Sequence, residues 1–302
     1  MKKIVVLALV CLMNFALFFT PQKIFTIKEE PVRILAFGDI MLGRYVRVLM
    51  ERNDDLYYPF KKTFGNKEWI GQFDLITANL EGPITERYIT GGLSLTFGFP
   101  PDTAQILSNL GFDAVSLANN HTNNRGDAGY EETKKFLSEA GVGYYGHYKD
   151  VDLSPVYYKK VKGKKIAFIG LNDTFGKLDV DKALALIERE KPGVDYIIVF
   201  PHWGHEYQGV HDKRQEELAK KFIDAGADTV LGHHPHVVQD VGEYNGKKIF
   251  YSLGNYVFDQ YFRQDVQEGL AIGITIENDE FKYEIYPMKS EASQPRFTPE
   301  PH

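Results

Sequence analysis

The sequence predicts an α/β domain built on a mixed sheet or two stacked sheets, and three observations carry that reading. Short apolar runs alternate with helical patterns from residue 32 to residue 288. Tight-turn residues fold two of those stretches back as hairpins, and no internal repeat or composition break divides the span. With 302 residues, 43% of them hydrophobic and 14% aromatic, the chain has ample material for a large core. One domain over residues 32–288 is the simplest organisation.

The elements follow in order. Lys2 and Lys3 precede an apolar run over residues 4–19 broken only by Asn14, so residues 1–20 read as a signal anchor or signal peptide. Small residues suited to cleavage are missing around Phe18-Phe19-Thr20-Pro21, which favours an uncleaved anchor with the body outside the cytoplasm. Cleavage would make the protein secreted. Residues 21–31 are polar and proline-bounded, a linker. VRILAFG (32–38) is a strand with a helix beginning near Leu42, and FDLITANL (73–80) is the next strand. Asp102-Thr103 offer a cap for a helix over 104–110 that Gly111 closes, and DAVSLA (113–118) is a strand. A helix within 127–140 ends at Gly141, and residues 157–172 form a hairpin turning at Lys162-Gly163. Helices across 181–190 and 213–225 lead to strands VDYIIVF (194–200) and ADTVLGH (227–233). A hairpin over 243–255 turns at Asn245-Gly246, strands fit 269–277 and 281–287, and residues 289–302 read as a flexible tail.

A net charge of −6 without a basic stripe excludes nucleic acid as a partner. It also gives no long-range attraction for a polyanion, so any anion handling must be local, by a metal or by a few Lys and Arg. Cys11, the only cysteine, leaves the body without disulfide or thiolate chemistry.

The chemistry lies in where polar residues fall. AFGD ends a strand with Asp39, ITANLE with Asn79 and Glu81, and SLANNH with Asn119, Asn120 and His121. PHWGHE ends one with His202, His205 and Glu206, and LGHHPH ends one with His233, His234 and His236. The C-terminal edge of an α/β sheet is where ligands sit. Capping and turn roles explain single members of this set; the histidines and carboxylates together predict a metal centre. Two imidazoles at H-x-H spacing on an extended segment point to one side and converge. Oxygen and imidazole donors without thiolate suit one or two divalent ions of Mn, Zn or Fe, and a bridging carboxylate suggests two. His121, beside a candidate ligand Asn120, is then a candidate general acid. His205, His147, His211 and His302 read as solvated loop histidines, as do the lone cations Arg44, Arg125 and Lys164, and Gly254-Asn255 as a turn near the metal.

Six motifs in this order, FGDIMLGR, ANLEGPIT, SLANNHTNNRG, PHWGHEY, GHHPHVVQ and YSLGNYVFDQ, resemble the bacterial CapA capsule-synthesis proteins of poly-γ-glutamate production, members of the calcineurin-like metallophosphoesterase superfamily. The resemblance implies a four-layer αββα sandwich. It assigns Asp39, Glu81 and His236 to one ion, and Asn120, His202, His234 and again Glu81 to the other. His121 would face the leaving group, with Asn79 and Glu206 supporting the ligands from behind; His233, which the resemblance does not assign, reads as packing behind them too. The superfamily's D-x-H reads Asp39-Ile40-Met41 here, and its bridging aspartate is replaced by Glu81, so the first ion keeps three protein ligands and more room for water or substrate. Its acidic residue after the Asn-His pair is Thr122 here, and Asp127 is the candidate partner for His121 instead.

Two functions from different classes follow. One is an extracytoplasmic metal-dependent hydrolase or transferase acting on an anionic polymer or a phosphoester. The other is a non-catalytic, membrane-anchored scaffold or polymer-binding subunit working with membrane synthase or export subunits. A secreted nucleotidase or nuclease shares the metal chemistry but finds no basic groove in this sequence.

Overall fold

In the computed structural model, residues 29–92 and 94–301 are described. The expected anchor at residues 1–20 lies outside them. Among the described residues, no helix is long and apolar enough to cross a membrane.

Two mixed sheets form the centre. In the first, β1 (Val32–Ile40), β2 (Leu75–Leu80), β3 (Ala114–Ser116) and β4 (Gly143–Tyr145) run parallel. The second contains β5 (Tyr157–Val161), β6 (Lys164–Asn172), β7 (Tyr196–His202), β8 (Thr229–Leu231), β9 (Val241–Tyr244) and β10 (Lys247–Phe250), in the order β5-β6-β7-β8-β10-β9. The first sheet is completed beyond β1 by β12 (Glu268–Glu277), β13 (Glu280–Glu291) and β14 (Gln294–Phe297), all antiparallel, while β11 (Asn255–Val257) pairs with the far end of β1. Both expected hairpins form: β5–β6 across Lys162-Gly163 and β9–β10 across Asn245-Gly246.

Alternation along the strands makes the layers. On β1, Ile34 and Ala36 enter the core shared by the two sheets, while Leu35 and Phe37 face outward. On β6 and β7, Ile166, Phe168, Ile198 and Phe200 point inward, and Ala167, Ile169, Ile197 and Val199 outward. The outer face of the first sheet is covered by α1 (Arg44–Arg52), α2 (Lys61–Phe64), α3 (Lys67–Ile70), α4 (Asp102–Asn109) and α5 (Gly126–Glu139). That of the second is covered by α6 (Val180–Glu190) and α7 (Lys213–Asp224), whose Ala183, Leu186 and Ile187, and Leu218, Ala219, Phe222 and Ile223, recur at helical spacing. The result is a four-layer αββα sandwich with three apolar seams. Each fully buried Leu, Ile or Phe in them contributes roughly 1.5–3 kcal/mol.

Two expectations need correction. Residues 289–302 are not a free tail among the described residues: β13 runs to Glu291 and β14 follows. Ala292 and Ser293, at φ 50° and 58°, make the tight turn without the Gly or Asn that would announce it. Tertiary contacts hold the last strand, since the Thr63 hydroxyl donates to the Pro295 carbonyl at 2.8 Å and Phe297 packs edge-on against Trp69. Asp102 does not cap α4; it lies in the first turn and pairs with Arg47 at 3.0 Å.

Candidate metal centre

β1, β2, β3, β7 and β8 all end at one edge, so two sheets deliver their C-terminal loops to a common point. Asp39 reaches it because of Gly38. A Cβ at residue 38 would stand 2.0 Å from the Gly254 carbonyl oxygen, so only glycine lets the end of β1 approach the loop before β11. Here the β1–β2 register shifts, and Asp39 aligns with Asn79 on one side and Asn255 on the other.

Glu81 is the focus. Its side chain is fully buried, yet neither carboxylate oxygen has a hydrogen-bond partner. His236 Nε2 lies 3.6 Å from its Oε1, and His121 Nε2 and His202 Nε2 each 3.9 Å. Asp39, Glu81 and His236 present ligand atoms that all lie within 4.8 Å of one another. On the other side of Glu81, His202 Nε2 is 2.9 Å from Asn120 Oδ1, and the His202 and His234 rings are 4.8 Å apart. The buried Nδ1 of His234 also has no partner. Unpaired buried polar atoms are rare in folded proteins. Three on two side chains that both lie beside His202 fit a centre that holds cations.

The histidine loop differs from the extended H-x-H expected. His234 and His236 both adopt left-handed backbone, at φ 98° and 57°, on either side of Pro235. Their rings converge, 6.0 Å apart, through this strained turn and not through strand alternation.

A hydrogen-bond scaffold aims the candidate ligands. Asn79 donates to Asp39 Oδ1 at 2.8 Å and accepts from Asn119 at 3.0 Å. Asn255 donates to Gln260 and to the Val266 carbonyl, so its oxygen is left to face His236 Nδ1 at 3.0 Å. That fixes Nδ1 as the protonated nitrogen and turns Nε2 toward Glu81. His233 lies behind, with Nε2 3.2 Å from the Phe37 carbonyl. Glu206 is exposed, but its carboxylate lies within 4.8 Å of the candidate ligand atoms of His234 and His236, so it can reach the centre directly.

The electrostatics match. Burial pushes the Glu81 carboxyl well above the usual range, and the Asp39 and Glu206 carboxylates add to the rise. Burial acts the same way on Asp39, but the His236 hydrogen bond and the positive charges of His233 and His236 outweigh it, and Asp39 stays below the usual range. His236 is pushed up to about 9: burial opposes its charge, but Glu81 and Asp39 more than compensate. Burial and neighbouring imidazoles drive His234 down to about 3 and His202 well below the ordinary value.

His121 is largely buried, its side chain 13% exposed and its ring stacked on Phe97 at 4.0 Å. Its partner is Asn124, not the expected Asp127, whose carboxylate accepts from the Tyr148 hydroxyl. Asn124 Oδ1 lies 3.0 Å from His121 Nδ1, which leaves the Nε2 lone pair on the Glu81 side. Burial lowers this histidine to about 4 despite the Asn124 hydrogen bond.

Other residues read as solvated are engaged. Arg44, at φ 46°, is buried and forms a two-pronged pair with Asp259, against Phe97 and Phe258. His147 Nδ1 accepts two backbone N–H groups, and His211 stacks on Tyr251 at 3.7 Å. His205 is exposed, 3.7 Å from Asp212. Sequence reasoning missed Asn124, Asp259 and the part Asn255 plays, although all three sit in motifs already singled out.

The model of the family described as bacterial capsule synthesis protein PGA_cap matches residues 33–260. The capsule biosynthesis protein CapA of Bacillus anthracis is 30% identical over 293 residues, covering 89% of this chain and 70% of that protein. The PGA biosynthesis protein CapA of Bacillus subtilis is 30% identical over 295 residues, covering 90% and 75%. Among solved structures, a phosphatase from Mycoplasma pneumoniae shares the fold at a TM-score of 0.57 and 14% identity, over 86% of this chain and 94% of that one. Matched along three quarters of its length by one family model and along nine tenths by two CapA proteins, this chain belongs to the bacterial capsule synthesis protein family, of the CapA type associated with poly-γ-glutamate biosynthesis.

Proposed function

We propose that this chain is a metal-dependent hydrolase or transferase, held to the membrane by its N-terminus and working outside the cytoplasm. Its target would be a phosphoester or a γ-glutamyl amide bond, in the making of a poly-γ-glutamate surface polymer. The observation that carries the reading is Glu81, a fully buried carboxylate with both oxygens unpaired among imidazole nitrogens. Leaving such a group unsatisfied costs about 1–3 kcal/mol or more, and a cation at that point removes the cost.

In this reading Asp39, Glu81 and His236 hold one divalent ion, with Glu206 within reach. Glu81, Asn120, His202 and His234 hold a second. Mn, Zn or Fe suits these donors. Bound there, such ions would polarise the scissile group and make hydroxide accessible near neutral pH. The chain's own residues do the rest. Asn79 and Asn255 fix the carboxylate and imidazole that meet at the centre. Asn124 holds the His121 Nδ1 proton, so that Nε2 is the atom that exchanges a proton with the reacting group. With the histidine lowered to about 4, Nε2 is unprotonated at rest. It would protonate a leaving atom only with a proton taken up during the reaction, which an anionic substrate beside it favours.

The test is hydrolysis of a generic phosphodiester and of a γ-glutamyl polymer by the metal-loaded full chain. His234→Ala and Asn120→Ala should both remove metal-dependent turnover, and His121→Ala should lower it about 10²–10⁴-fold. Undiminished turnover in the first two refutes the centre. Full restoration of polymer production by His121→Ala in cells would favour a membrane-anchored scaffold among synthase or export subunits.

A further inference from the structure

A cleft of about 420 Å³ opens beside the centre and shares one residue with it, Asn120. That size lies in the range of ligand clefts. Asn120 and Asn123, from the loop after β3, form its floor. One wall is the loop after β4, with Tyr148 and Lys149; the other is the loop after β6, with Asn172, Thr174 and Lys177.

The walls are built, not merely adjacent. Asn172 donates to the Tyr148 carbonyl at 2.6 Å, joining one loop to the other. Its oxygen accepts from both the backbone N–H and the hydroxyl of Thr174, which orients the amide. On the opposite wall, His147 Nδ1 accepts the backbone N–H groups of Lys149 and Asp150 at 3.1 and 2.8 Å, pinning the turn that carries Lys149. Among the described residues, neither the Lys149 ammonium nor the Asn123 amide has a hydrogen-bond or ion-pair partner.

Charge gives the cleft a direction. A chain with 41 acidic residues and a net charge of −6 lines this cleft with none of them, and sets a lysine on each wall. Amides on the floor add neutral hydrogen-bond donors. A surface that repels polyanions at long range has here a local positive trough that runs up to a candidate metal ligand.

We propose that this cleft is a subsite for an anionic arm of the substrate, with Lys149 receiving a carboxylate or phosphate group that flanks the bond held at Asn120. The proposal rests on the reading of the centre as a substrate-processing site, and it selects acidic chains over neutral ones as substrates.

The experiment is calorimetric titration of the full chain, loaded with Mn²⁺, with a γ-linked glutamate decamer and separately with inorganic pyrophosphate. Lys149→Glu should weaken binding of the recognised probe at least tenfold, and Lys149→Gln by a smaller factor. Lys62→Glu, on α2 beside the far edge strand β14, makes the same charge change and should leave affinity within twofold. Loss for the decamer identifies carboxylates as the ligand groups, and loss for pyrophosphate alone identifies phosphates. Equal affinity of Lys149→Glu and the unaltered chain overturns the subsite, as does failure of the unaltered chain to bind either probe. Elemental analysis of the same samples keeps the two claims apart: decamer binding through Lys149 in a chain that takes up no metal would refute the centre and leave the cleft standing.

Discussion

Glu81→Gln tests the centre most sharply, because the expected effect changes sign with metal. Without metal, the wild-type fold buries a carboxylate whose two oxygens are unpaired and whose neighbour Asp39 repels it. The amide keeps the shape and leaves its own polar atoms unpaired, but it removes a buried charge whose desolvation and repulsion from Asp39 and Glu206 outweigh its attraction to His236, so the metal-free variant should gain about 1–2 kcal/mol. For a domain of this size, that raises Tm by roughly 2–8 °C. Metal reverses the order. At a metal concentration 100 times Kd, one bound ion stabilises the wild type by about 2.7 kcal/mol. If the loss of the shared carboxylate raises Kd about 100-fold, the same concentration stabilises the variant by RT ln 2, about 0.4 kcal/mol. Thermal melts in chelator and in excess Mn²⁺ or Zn²⁺ should therefore cross: variant above wild type in the first, below it in the second. A variant less stable than wild type in chelator would make Glu81 an ordinary structural carboxylate. An undiminished metal-induced shift would remove it from the ligand set.

Further outcomes follow from the same geometry. The buried His236, beside the Glu81 and Asp39 carboxylates, binds its proton more tightly in the metal-free fold than in an unfolded chain, so metal loading at pH 7 should release about one proton per centre. Calorimetry in two buffers of different ionisation enthalpy counts it, and zero release would refute the protonation scheme. For the metal-free protein the sign is fixed: the stability His236 contributes is fully present below pH 6.5 and is lost as pH rises through about 9, which denaturant midpoints between pH 6 and 10 would reveal. Gly38→Ala forces a Cβ to 2.0 Å from a carbonyl oxygen, and should cost about 3 kcal/mol or more and lower metal content, measured by chemical denaturation and elemental analysis. Asn124→Ala frees the His121 ring, and should lower turnover and shift the acid limb of the pH–rate profile with metal content unchanged.

Much of the fold was legible because burial on both faces of the inner strands leaves a strong signature. Runs such as ILAFG, IAFIG and YIIVF have no polar face, as strands sandwiched between a second sheet and helices must not. Asn245-Gly246 announced its hairpin with residues that accept positive φ. Ala292-Ser293 makes a turn of the same kind without them, held by contacts from residues more than 200 positions away, and no local pattern could have disclosed it. The N-cap of α4 failed for a related reason: Arg47, from α1, claims the Asp102 carboxylate.

The site divides along the same line. Its members could be found because each follows a strand, and strand ends are readable; their partners could not, because partnership depends on the packing of loops. Asp127 and Asn124 both stand near His121 in sequence, and only the fold decides that Asp127 turns to Tyr148 while Asn124 holds the ring. Arg44 looked like one cation among 35 until burial against Phe97 and Phe258 gave it Asp259. The two left-handed histidines make the point most strongly. H-x-H suggested convergence for a reason that holds in a strand, yet the convergence comes from backbone that histidine seldom adopts. A strained turn of that kind persists only when its surroundings over-determine it. Here those surroundings are Asn255 on His236, Asp39 accepting the His234 backbone N–H at 3.4 Å, and the His202 ring beside His234. The strain and the unpaired Glu81 oxygens are thus two costs in one place, and a pair of cations sharing Glu81, one held with Asp39 and His236 and the other with His234, would offset both.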